Sequence, residues 1–259
     1  LLPLAMAEAA QGRLAESSLT LRGGTHVPWA PSASYLEHVF LPQLARMGVR
    51  ARVKLNGWGF YPTGGGELQA QIVGRQRPLR AILLTGRGEL RRIWGTAAVT
   101  NLPAHIPQRM ANRARNVLAG AGLEARIESR RLRGAGPGAG IFLFAEYVGL
   151  PSGETVTAGF TAYGRKGLPA EHVAEAACEE LLDHFHSGAP VDPYLADQLV
   201  LPAALAEGES RVTTSRVSQH LLTSVGIVRE FISRGLRVEG EPGEPGALIV
   251  QSIGGEGGV

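Results

Sequence analysis

Cysteine is almost missing from this chain. Its 259 residues include one, Cys178, so no disulfide can form within the chain and a cysteine-based zinc site is excluded. Cys178 follows Ala176 and Ala177 on an apolar helical stripe, which predicts a small core residue. An unpaired thiol points to a reducing compartment, the cytoplasm. No apolar run reaches the roughly 18 residues that a membrane span needs. The opening Leu1-Leu2-Pro3-Leu4-Ala5-Met6 has no basic leader and makes a poor secretion signal. Aromatics are few, at 6%, and neither charge sign dominates: 26 Lys and Arg against 23 Asp and Glu, net +3. That balance permits an anionic partner without demanding one. What is plentiful is glycine, 35 residues, and with it turns.

The order of elements is legible from periodicity. Leu19–Arg22 alternates as a strand into the turn Gly23-Gly24-Thr25. Ser32 or Ser34 can cap a helix from Tyr35 to Met47, with Leu36, Val39, Phe40, Leu44 and Met47 on one face and Gly48 as its stop. Arg50–Leu55 and Glu67–Val73 read as strands around the turn Pro62-Thr63-Gly64-Gly65-Gly66. The C-terminal part repeats this order: strand Ser210–Thr214, helix Ser218–Ile232, strands Leu236–Glu239 and Ala247–Ile253. The helix stripe there is Leu221, Leu222, Val225, Val228 and Phe231. A further helix, Tyr194–Ala206, precedes it. Two strand–helix–strand–strand units therefore flank a different middle. That middle has strands at Ile93–Val99, Ala125–Ser129, Ile141–Val148 and Val156–Ala162, and helices at Pro107–Ala119 and Pro169–His186. The division expected is 1–84, an inserted small α/β domain over 85–166, and 167–259.

Seven histidines are candidates for chemistry. His184 and His186 stand two apart on a helix and face different ways, which argues against a shared metal and for a cationic helix end. His38 and His172 read as partly exposed helix residues, and His105 as a loop residue between prolines. His26 follows a glycine turn near a candidate site. His220 is set apart by its context, Ser218-Gln219-His220-Leu221-Leu222-Thr223. With Ser218 as cap it falls in the first helical turn, where free backbone N–H groups can hold a phosphate. A polar cap-region residue is the alternative. Tyr194 reads either as an aromatic platform or as a helix-start staple against the core. Gly64-Gly65-Gly66 reads as a phosphate cradle or a tight hairpin, and Gly134–Gly140 as a mobile loop. Arg126, Arg130, Arg131 and Arg133 read as an RNA-binding patch or a solvated strand edge.

Four segments in order carry a resemblance: Arg22-Gly23-Gly24-Thr25 with Pro28 and Pro31; Gly59-Phe60-Tyr61-Pro62-Thr63-Gly64-Gly65-Gly66-Glu67; Tyr194-Leu195-Ala196-Asp197-Gln198; and His220-Leu221-Leu222-Thr223. Together they resemble the RNA 3′-terminal phosphate cyclase family. The resemblance implies an α/β (α+β) fold of repeated units, two helices on a four-stranded sheet, with a small inserted α/β domain. It implies an ATP-dependent ligase-type enzyme in which a histidine, here His220, attacks the α-phosphorus of ATP. The resulting histidine–AMP passes its adenylate to an RNA 3′-phosphate. The neighbouring 2′-hydroxyl then closes a 2′,3′-cyclic phosphate. The implied cofactors are ATP and a divalent metal, magnesium or manganese; the implied partner is RNA with a 3′-phosphate end, with no membrane. Tyr194 and Pro31 are expected on either face of the adenine. Leu195, Ala196, Asp197 and Gln198 belong to the same nucleotide-binding segment, with Asp197 orienting the histidine or holding the nucleotide. A branch of the same family lacks the nucleophilic histidine, which leaves a non-catalytic RNA-binding or ribosome-assembly factor as the alternative. The chain opens inside an apolar stretch read as a helix from Leu1 to Ala10, and an earlier repeat with a glycine-rich motif and phosphate-site charges is expected upstream.

Overall fold

The computed structural model describes residues 16–73 and 78–252. The expected Leu1–Ala10 helix, Ile253 and the Gly254–Val259 tail lie outside the described residues. Helices and open sheets are mixed, as an α/β fold requires.

The first unit runs β1 (Glu16–Gly23), a helix α1, β2 (Arg50–Gly57) and β3 (Gly66–Val73). Helix α1 is α-helical at Ala33–Tyr35, π-helical at Leu36–Phe40 and α-helical again at Leu41–Arg46. Ser32 is its cap: extended backbone, with the hydroxyl accepting from the Tyr35 N–H at 3.1 Å. Val39, Leu44 and Met47 are buried beneath it. The sheet order is β1-β3-β2, antiparallel throughout.

The last unit repeats that plan. β11 (Ser210–Thr214), α6 (Gln219–Phe231), β12 (Leu236–Glu239) and β13 (Gly246–Val250) give the order β12-β13-β11, again with the third strand in the middle. Its helix too is serine-capped, the Ser218 hydroxyl accepting from the Leu221 N–H at 3.0 Å. In both units an isolated parallel bridge ties the segment before the helix to the loop between the second and third strands: His26 to Phe60, and Val217 to Pro242. A two-residue strand, β5 (Leu83–Leu84), adds a parallel fourth strand to the last unit. The first unit keeps three strands among the described residues. Phe231, expected on the core stripe of α6, is 84% exposed. The helix ends at the next residue, and Leu221 and Val225 supply the buried face.

Between the units lies a four-stranded sheet, order β7-β6-β8-β9, formed by β6 (Gly86–Thr100), β7 (Ala125–Leu132), β8 (Gly138–Leu150) and β9 (Thr155–Tyr163). Helices α2 (His105–Gly120) and α3 (Ala170–Ser187) pack on it and on each other. Arg109–Glu171 and Arg113–Glu175 bridge the two helices, one turn apart. Cys178 is fully buried, its Sγ 3.8 Å from the Ala114 carbonyl, and burial pushes the thiol up to about 12. Strand β6 starts earlier than its apolar stretch: none of residues 86–92 is buried, yet they pair with β8, and Arg92 also meets Glu146 across the pair at 2.9 Å. His105 is the first residue of α2 rather than a loop residue. The Gly134–Gly140 segment is tied down, Thr100 Oγ1 donating to Gly136 O at 2.8 Å and Asn101 Nδ2 to Gly134 O at 2.7 Å.

The expected helix from Tyr194 is two short ones, α4 (Pro193–Gln198) and α5 (Val200–Leu205), joined at Leu199. Pro202 has no N–H to give the carbonyl four residues back, so the ladder is interrupted there. A short parallel pair, β4 (Leu79–Arg80) with β10 (Ala206–Glu207), follows.

Candidate active site

The site is held together by a residue that no periodicity announces. Asp192 is fully buried and caps α4, its Oδ1 accepting from the N–H groups of Tyr194 at 2.9 Å and Leu195 at 3.0 Å. The same oxygen accepts from the Tyr35 hydroxyl at 2.7 Å, and Oδ2 accepts from the Gly159 N–H at 3.1 Å. One carboxylate thus joins α4 to the first turn of α1 and to β9. Burial pushes it up to about 6, against the pull of these donors. An Asp-Pro pair at 192–193 is the local signal for such a cap, since proline suits the first helical position.

On that anchor α4 shows two faces. Leu195 and Ala196 are wholly buried and fix the helix to the core, so neither offers a surface to a ligand. Tyr194 is 41% exposed, its hydroxyl bonded to Glu180 at 3.1 Å, and its ring stands edge-on to Tyr35 with centroids 6.4 Å apart. Gln198 turns back to donate to the Tyr194 carbonyl at 2.9 Å. Pro31 is exposed and directly precedes the Ser32 cap, one turn before Tyr35. The start of α1 and the start of α4 are therefore neighbours.

Helix α6 packs against α4. His220 is the second residue of α6, exposed, two residues after its cap. The entry to the helix is fixed by Val217 N–H donating to Glu244 O at 2.7 Å and by Gly243 N–H donating to Val217 O at 3.0 Å. Asp197 lies within electrostatic reach of His220. Burial pushes its carboxyl up to about 6, and the His220 charge pulls the other way. The segments Tyr194–Gln198 and His220–Thr223, some twenty residues apart in sequence, thus lie on two helices that pack together. Among the described residues no three His, Cys, Asp or Glu side chains converge as a metal cage. A magnesium ion carried on phosphates needs only one or two carboxylates, and Asp197 is a carboxylate within electrostatic reach of His220.

The other histidines have structural places. His26 is buried, stacked on Trp58 at 4.0 Å, with Nδ1 2.9 Å from Thr25 Oγ1 and Nε2 3.3 Å from Ser34 Oγ. Burial lowers it to about 3. His184 corrects the expectation of a cationic helix end: it is 2% exposed between the rings of Tyr147 and Phe160, and burial lowers it to about 3. A ring so placed stays neutral. His38 is half-buried against Phe144, and His172 and His186 are exposed.

The glycine-rich segments clasp each other. Thr25 N–H donates to Gly59 O at 2.9 Å, and Gly59 N–H donates to Thr25 Oγ1 at 2.9 Å. A side chain on Gly59 would strike the backbone of Gly23, Gly64 and Gly66. Gly64 and Gly65 take left-handed φ angles of 67° and 72°. Packing of turn on turn, rather than a phosphate cradle, accounts for Gly64-Gly65-Gly66. The arginines at 126, 130, 131 and 133 are exposed on and just after β7, the edge strand of its sheet, which is the solvated-edge arrangement.

A family model described as RNA 3′-terminal phosphate cyclase matches residues 1–238. A relative of that name from Nostoc punctiforme is 49% identical over 238 residues, covering 92% of this chain and 65% of the relative. One from Methylococcus capsulatus is 48% identical over 258 residues, covering 99% and 67%. One from Pyrobaculum neutrophilum is 39% identical over 226 residues, covering 86% and 63%. The chain thus spans about two thirds of the length of the curated relatives it matches. With matches of this extent, the chain belongs to the RNA 3′-terminal phosphate cyclase family.

Proposed function

We propose that this chain carries the adenylate-accepting centre of an ATP-dependent RNA 3′-terminal phosphate cyclase, a ligase-type enzyme of the cytoplasm. The observation that carries the reading is the packing of α6, with the exposed His220 in its first turn, against α4, which bears Asp197 and the exposed ring of Tyr194. An imidazole nitrogen of His220 attacks the α-phosphorus of ATP; the bond to the bridging oxygen breaks and pyrophosphate leaves. The 3′-phosphate of the RNA then takes the adenylate, freeing the histidine. Attack by the 2′-hydroxyl on the 3′-phosphorus expels AMP and closes the 2′,3′-cyclic phosphate. Covalent catalysis divides one difficult condensation into activated steps.

In this scheme Tyr194 and Pro31 hold the adenine between them, and Gln198 and Asp197 bound the same pocket. The free N–H groups at the start of α6 receive phosphate oxygens. A divalent ion, magnesium or manganese, neutralises phosphate charge when bound, with Asp197 as its protein carboxylate. No helix among the described residues is long and apolar enough to cross a membrane.

The test is incubation with α-labelled ATP, followed by addition of an RNA with a 3′-phosphate. Covalent label on the protein, discharged by that RNA, is the expected result. RNA binding with no label at all would instead support a non-catalytic RNA-binding or ribosome-assembly role.

A further inference from the structure

A groove of about 870 Å³ lies between the first unit and the middle sheet. One wall is the β1–α1 loop with His26 and Pro28, and the loop with Tyr61 and Pro62. The other is α2 and the turn Gly164–Pro169. Nothing assigned so far uses it. Tyr61, 60% exposed, lines it, and Trp29, 92% exposed and next to the lining residue Pro28, stands edge to face with Tyr61 at 6.3 Å. Trp29 holds a left-handed backbone, φ 63°, a conformation a bulky residue adopts at a cost and keeps where the surroundings impose it. The loop thus turns an indole outward, into water, where burial cannot explain it.

The charge of the groove has one sign. Arg109, Arg165 and Lys166 line it, and no Asp or Glu is among its lining residues. Arg109 is shared with Glu171 on α3, whereas Arg165 and Lys166 are exposed, with no ion-pair partner among the described residues. The apolar floor includes Phe60 and Tyr163. Flat exposed rings beside unpaired cations suit a ligand with flat faces and spaced negative charges. Single-stranded nucleic acid has both, because bases stack on aromatics while phosphates pair with the cations. The groove is tied to the site through the chain: the loop that carries Pro28 runs on through Pro31 to Tyr35, whose hydroxyl is bonded to Asp192 at the start of α4.

We propose that this groove binds single-stranded RNA a few nucleotides upstream of the 3′ end, with Tyr61 and Trp29 as the stacking platform and Arg165 and Lys166 on the phosphates. The proposal rests on the cyclase reading for the identity of the strand. It makes α2 and the Gly164–Pro169 turn of the middle unit part of substrate recognition.

The test is binding of a short fluorescent single-stranded RNA, without ATP, to the protein and its variants. Tyr61→Ala should weaken binding roughly tenfold, the usual scale for loss of one stacked base. Arg165→Ala with Lys166→Ala should lower the salt dependence of log K by roughly 0.7 per residue. RNA should quench tryptophan emission, and Trp29→Phe should remove most of the quench while keeping the affinity. A dinucleotide ending in 3′-phosphate should bind all variants alike, since it does not reach the groove. Unchanged RNA affinity in the Tyr61 variant together with an unchanged salt slope in the double variant would overturn the proposal. Both sites are exposed, so misfolding does not confuse the result. The two readings also separate: AMP on His220 with RNA binding indifferent to these variants removes the groove alone, and the converse removes the cyclase alone.

Discussion

Asp192 shows how one side chain can set a site. It accepts four hydrogen bonds from three elements, and two of its donors, Tyr35 and Gly159, lie 157 and 33 residues away in the chain. Asp192→Ala leaves four donors without an acceptor, three of them in buried bonds that each cost about 1–3 kcal/mol to lose. The expected result is a stability loss of roughly 3 kcal/mol or more in chemical denaturation, with ATP binding weakened because α4 loses its anchor. Asp192→Asn keeps the shape and the oxygen that accepts three of the four bonds, losing only the one from Gly159 N–H, and should lose far less. Tyr194 tests the exposed face of α4. Tyr194→Ala should weaken ATP binding by about 0.5–1.5 kcal/mol if the ring stacks on adenine, while Tyr194→Phe, which loses only the bond to Glu180, should bind nearly as the parent does. Equal ATP affinity in calorimetric titrations of the parent and the Ala variant would take Tyr194 out of the pocket. At this scale the sequence was uneven. His220 and Asp197 stood in recognisable segments. Asp192, Glu180 and Trp29 did not, because their roles depend on partners that only folding supplies.

The elements were legible where their causes are local. The Ser218 cap, a serine cap at 32 or 34 that the structure places at Ser32, and the alternation of β2 and β3 are written in neighbouring residues, and so is the strand–helix–strand–strand order. The common sheet order, with the third strand in the middle of each unit, is a tertiary fact and was not. Nor were β4, β5 and β10, two-residue strands whose pairing comes from a distant partner. The split of α4 from α5 was within reach, since Pro202 was visible. The cap of α6 makes the element-scale prediction. Ser218→Ala should cost about 1 kcal/mol and loosen the turn that carries His220, so adenylation should slow while the fold persists. Ser218→Asp should restore both. A Ser218→Ala protein with unchanged thermal stability would show that the Val217–Glu244 and Gly243–Val217 backbone bonds hold the helix start unaided.

For the whole molecule, buried ionisable groups set the response to acid. His26 and His184 are lowered from 6.5 to about 3. Folding keeps them neutral, so their stability is present above pH 6.5 and is lost as pH falls toward 3. Asp192 and Asp197 are raised from 3.8 to about 6 and act in the opposite sense: their contribution is present below pH 3.8 and is lost as pH rises through 6. The histidine shifts are larger, so net stability should fall between pH 6.5 and 3. His184→Leu should flatten that fall without harming the protein at neutral pH, because neither ring nitrogen has a partner among the described residues. An acid limb of the same slope in the variant, followed by circular dichroism, would contradict that assignment. The family and the mixed fold were readable from four short segments because glycine turns, a capped helix start and an Asp-bearing helix are local features. How those segments meet, α4 against α6 and Gly59 against Gly23, emerges only from the packed molecule. The proposed chemistry turns on His220. Mass spectrometry of the protein after incubation with ATP should find AMP on His220, and none on the His220→Ala variant, whose stability should be near the parent's. Adenylation retained in His220→Ala, or AMP attached elsewhere in the parent, would contradict it.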